Sequence, residues 1–87
     1  MGPNDDKITR VKVNINGAEY VIKSNESPEY VVKLANLVDA KMQQIASGSR
    51  TMPSTKVAIL TALNLADELC KLREDYEGLL KLIEEAK

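Results

Sequence analysis

The sequence predicts an α+β fold: a small N-terminal β-hairpin and a short helix packed on a long C-terminal helix that forms a coiled coil on oligomerisation. Three observations carry this prediction. Asn16-Gly17 sits between two runs of alternating hydrophobicity, Ser27-Pro28-Glu29 opens a stretch of helical period, and after Pro53 only Gly78 interrupts thirty-odd residues that suit a helix.

The hairpin reads R-V-K-V-N-I-N-G-A-E-Y-V-I-K over residues 10–23. Asn-Gly is the preferred pair for a two-residue type I′ turn. A loop of those two residues places Ile15 opposite Ala18, Val13 opposite Tyr20 and Val11 opposite Ile22. These six then share one face, and Lys12, Asn14, Glu19 and Lys23 mostly fill the other. A two-stranded hairpin is marginal in water, so the apolar face needs a cover.

The first cover is a helix. Ser27 is suited to the N-cap, Pro28 to the first helical position and Glu29 to the positive end of the helix dipole. Val31, Leu34, Ala35, Val38, Met42 and Ile45 recur at helical spacing as one stripe, which Leu37 widens. The helix is expected to stop around residues 46–49, with Gly48 taking a left-handed cap. A short loop then leads to Pro53, expected in the first turn of the next helix.

That second helix can run from about Pro53 to Glu85, roughly 50 Å at 1.5 Å per residue. A compact unit of residues 8–66 has a radius of gyration of only ~10 Å. The expected organisation is therefore a disordered segment 1–7, a globular ββα head 8–66 that includes the start of the second helix, and a projecting coiled-coil segment 67–87. Within K-V-A-I-L-T-A-L-N-L-A-D-E-L-C-K-L (residues 56–72), the chain is apolar all round up to Ala66 and one-sided afterwards. Ala62, Leu65, Leu69, Leu72, Tyr76, Leu79 and Ile83 (with Ala86) follow the 3-4 spacing of a coiled-coil seam. Val57, Ile59, Leu60 and Leu63 lie off it, and the hairpin and first helix are the expected surface against them. Asn64 is expected to make a buried hydrogen bond.

No remaining segment can cover residues 69–86, so the seam predicts self-association. A parallel pair sets Glu68 near Arg73 of the other copy. Leu80 and Leu82 broaden the apolar face near the end, which suits a dimer of dimers.

Composition narrows the function classes. The 87 residues carry a net charge of −1, with eight Lys/Arg against six Asp/Glu in residues 1–66 and four against seven in 67–87. That balance argues against nucleic acid as the main partner. Cys70 is the one cysteine and there is no histidine. A Ser–His or Cys–His unit is thus excluded, and a structural zinc site is not expected. No P-loop, catalytic constellation or cofactor motif is found, and no enzyme activity is expected. The opening M-G-P-N-D-D-K has no signal-peptide character, residue 6 does not fit a myristoylation motif, and no segment suits a membrane span. A cytoplasmic protein is expected.

The I-N-G-A-E-Y-V-I hairpin, the helix with L-A-N-L-V-D-A-K-M-Q-Q-I and, above all, K-V-A-I-L-T-A-L-N-L-A-D-E-L resemble the ZapA-type bacterial cell-division proteins. The resemblance covers about residues 9–80 in collinear order. It implies cytoplasmic dimers, often paired as tetramers, that bind filaments of the tubulin-like FtsZ and bundle or cross-link them at the midcell division ring. It places a filament-binding basic residue at Arg50. Lys41 and Lys56 flank the same loop and join it on charge and position. Some members carry a basic residue just after the turn glycine, where this chain has Ala18. Two other readings stay open: a ribbon-helix-helix DNA-binding dimer, whose plan is also a strand and two helices, and a generic coiled-coil adaptor.

Overall fold

A computed structural model describes residues 7–49 and 51–86. Strands β1 (Thr9–Ile15) and β2 (Ala18–Ser24) are followed by helices α1 (Pro28–Ala46) and α2 (Ser54–Glu85). The chain divides between Met52 and Pro53 into two units, one holding β1, β2 and α1, the other α2. The expected disorder of residues 1–7 falls outside the described residues except at Lys7, which is exposed and in no regular element.

The hairpin forms in the register that the turn dictates. β1 and β2 are antiparallel, with Ile15 opposite Ala18, Val13 opposite Tyr20 and Val11 opposite Ile22. Asn16 and Gly17 have φ of 53° and 79°. Two successive left-handed residues define the I′ turn, whose twist matches that of the flanking strands. Glycine enters that region without steric cost and asparagine more easily than most residues.

The core of this unit is small: Val11 and Val13 from β1, Val31 and Ala35 from α1, and Ile15 packed against them. α1 lies over β1. As the first cover of the apolar face, α1 reaches the β1 side of it. Tyr20 and Ile22 share the inner face but stay exposed, as do Leu34 and Leu37 of the expected helical stripe.

Local chemistry sets the ends of α1. The Ser27 hydroxyl accepts from the Tyr30 amide at 3.2 Å, and Pro28 follows at N1. At the far end the expected left-handed Gly48 is absent, because the carbonyls find other donors. The Gly48 and Ser49 amides donate to Ile45 and Ala46 at 3.2 and 3.1 Å, and the Ser47 hydroxyl donates to Gln44 at 2.7 Å. These bonds tighten the last turn and satisfy groups that a Schellman cap otherwise covers.

In its own unit, α2 spans 32 residues, roughly 48 Å. Pro53 is its N-cap, not a first-turn residue: ψ is 147°, and its carbonyl accepts the Val57 amide at 3.0 Å. The buried residues of α2 are Val57 and Thr61, one turn apart. Ile59 and Leu63 lie on the opposite flank of α2 and are exposed. Asn64 is exposed too, and among the described residues its side chain has no hydrogen-bond partner. It falls past Thr61, where burial on α2 ends.

Candidate self-association seam and basic residues

Helical period brings the seam residues into one line along α2. Ala62 is exposed and Leu65 half-buried. Beyond them Leu69, Leu72, Tyr76, Leu79 and Ile83 are each 48–66% exposed. Leu80 and Leu82 add exposed apolar surface beside the line. Covering such half-exposed side chains is worth on the order of 1 kcal/mol each. The polar side of the same stretch is built for water. Asp67 and Lys71 pair one turn apart at 2.9 Å, and the hydrogen bond to Asp67, with its charge, raises the Lys71 pKa. Cys70 is an exposed free thiol.

The three basic residues singled out in the sequence fare differently. Lys41 is half-buried on α1 and has an interaction partner. Lys56 is exposed in the first turn of α2. Arg50 lies outside the described residues. Lys41 and Lys56 belong to different units.

Sequence reasoning missed Asp39. Its Oδ1 accepts from the Asn16 backbone amide at 2.7 Å, and its Oδ2 from Gln43 Nε2 at 2.8 Å. The i, i+4 spacing of Asp39 and Gln43 was a readable signal for the second bond, whereas the first spans 23 residues.

The ββα unit also has an open groove of about 260 Å³ between β2 and α1, lined by Ile22, Leu34 and Val38 among others. Its volume falls below the ~300–1,000 Å³ of ordinary ligand pockets, and it does not enclose an occupant. Among the described residues no group of His, Cys, Asp or Glu is placed to hold a metal ion, and no helix is long and apolar enough to cross a membrane.

Residues 11–87 match the family model described as Cell division protein ZapA. A protein of that name from Shouchella clausii is 41% identical over 78 residues, covering 90% of this chain and 99% of that one. Another, from a Geobacillus strain, is 38% identical over 79 residues and covers 91% of each. Among solved structures, a ZapA mutant dimer from Geobacillus stearothermophilus superposes with a TM-score of 0.70 at 33% identity, covering 97% of this chain and 98% of that chain.

Proposed function

From the premise that this chain belongs to the ZapA family of cell-division proteins, we propose that it binds FtsZ filaments and bundles or cross-links them without enzymatic chemistry. The observation that carries this reading is the exposed seam of α2, from Leu69 to Ile83. An apolar line of that length on a single chain calls for a second copy, and a ZapA relative is solved as a dimer.

Two chains pair through Ala62, Leu65, Leu69, Leu72, Tyr76, Leu79 and Ile83 as a coiled coil. The parts then divide into a head of residues 8–66 and a rod of residues 67–87. Leu80 and Leu82 extend the apolar face so that two dimers join at their tips. Each assembly thus presents several heads. Linked heads convert a weak contact with one filament subunit into high avidity, because the second attachment becomes intramolecular. Arg50 makes the primary filament contact, and Lys41 and Lys56 contribute further positive charge to binding. The protein works in the cytoplasm at the midcell ring.

The test is co-sedimentation with assembled FtsZ, beside a mass measurement in solution. Pelleting with filaments and a mass of two or four chains is the expected result. Retardation of DNA at low salt without filament pelleting would favour the ribbon-helix-helix reading. Arg50→Glu should reduce pelleting while circular dichroism is unchanged, and normal pelleting rules out that contact.

A further inference from the structure

The outer face of the hairpin carries a concentration of positive charge that the fold itself does not use. The register sets Arg10 directly opposite Lys23, and Lys12 opposite Val21. Lys12 and Lys23 are therefore diagonal neighbours on the same face. All four residues are exposed, and Val21 keeps 52% of its surface open. α1 packs on the other face, through Val11 and Val13. Among the described residues, Arg10, Lys12 and Lys23 have no ion pair or hydrogen bond through their side chains.

Like charges directly opposite on paired strands are destabilising. A two-stranded sheet has little stability in reserve, and a carboxylate at position 10 or 23 turns the repulsion into attraction. Glu19, the one acidic residue on this face, pairs with Asn14 at the turn end. Arg10, Lys12 and Lys23 thus neighbour an exposed valine on one face of the hairpin, with Glu19 next to that valine on the turn side. A duplex-binding surface needs a larger surplus of charge than a chain of net −1 supplies. Carboxylates around an apolar side chain complement this face in both charge and polarity.

We propose that the outer hairpin face, formed by Arg10, Lys12, Lys23 and Val21, docks an acidic segment of a partner protein. The residues of this site are other than Arg50, Lys41 and Lys56. It deepens the filament reading, on which only the second arm of its test rests.

The first arm uses a fluorescein-labelled deca-glutamate peptide and fluorescence anisotropy with the full chain. Wild type should bind, more weakly as salt rises. Arg10→Glu with Lys12→Glu should weaken binding on the order of tenfold. Lys33→Glu, the same change of charge as Arg10→Glu by itself but placed on α1, should bind as wild type does. Arg10→Glu by itself faces Lys23 with an opposite charge, so its thermal midpoint should hold or rise while its binding falls. A merely structural role for Arg10 does not give that combination. Absence of peptide binding by wild type, equal loss in Lys33→Glu, or tighter binding of a duplex DNA than of the peptide would each overturn the proposal. The second arm repeats the variants in FtsZ co-sedimentation. If wild type does not pellet while the peptide arm holds, the filament reading fails and the docking face stands. If wild type pellets and the double variant pellets equally, the face is not the one that meets the filament, and the proposal in that form falls.

Discussion

The backbone amide of Asn16 donates to the carboxylate of Asp39 at 2.7 Å, tying the tip of the hairpin to the middle of α1. A two-residue turn leaves that amide without a partner in the strand ladder, and Asp39 supplies one from 23 residues away. Gln43 holds the second carboxylate oxygen at 2.8 Å and so orients the acceptor.

Asp39→Ala should therefore lower stability by about 1–2 kcal/mol, the ordinary cost of losing a hydrogen bond to a charged group. Asp39→Asn retains an acceptor oxygen and should lose less. Urea unfolding at one fixed protomer concentration compares them, since association contributes to apparent stability.

At the same turn, Gly17 has φ of +79°, and no neighbouring atom lies within 4 Å of the point where a methyl group would stand. Gly17→Ala should cost about 1 kcal/mol through backbone conformation and not through a clash. Asn16→Gly should be tolerated, because glycine takes the same region freely. Thermal unfolding of the two variants gives the comparison, and a larger loss for Asn16→Gly contradicts it.

On α2, Leu72→Glu places a charge in the seam where 66% of the leucine surface is open in one chain. The variant should sediment as a single protomer at micromolar concentration and lose helix signal from the rod. Leu80→Glu with Leu82→Glu should leave dimers intact and abolish tetramers, as read by light scattering.

Val57 and Leu63 offer a contrast on one helix. Val57 is 2% exposed, so Val57→Ala should cost about 2 kcal/mol for the lost methyl groups and the space they leave. Leu63 is 62% exposed, and Leu63→Ala should change protomer stability by less than ~0.5 kcal/mol. Denaturant unfolding at low protomer concentration separates the two.

The hairpin was legible because turn chemistry and strand period point to the same register, and Ser27-Pro28 marked the start of α1 by the same kind of local agreement. Coverage was not legible. Apolar pattern identifies Tyr20, Ile22, Leu34 and Leu63 as side chains that favour burial, yet it cannot say whether their cover comes from the same chain. Gly48 misled for a related reason: Ser47 and two adjacent amides satisfy the carbonyls that a left-handed glycine otherwise leaves to the cap. The Asp39 tie depends on a packing angle between α1 and β1 that no sequence period encodes. The line of apolar residues along α2 was readable from its spacing, whereas the cluster of charges at positions 10, 12 and 23 became evident only once the strand register was known.

Because α1 sits over β1, Tyr20 and Ile22 stay exposed on the inner face of the second strand, and Val21 between them is open on the outer face, so three apolar residues are exposed in succession. Three consecutive bulky residues on an edge strand form a template onto which a stray chain can zip. Glu19 and Lys23 bracket the triplet as charged gatekeepers. An apolar residue in place of either would lengthen the run, so solubility during synthesis, before any partner is met, depends on two side chains that contribute nothing to the core.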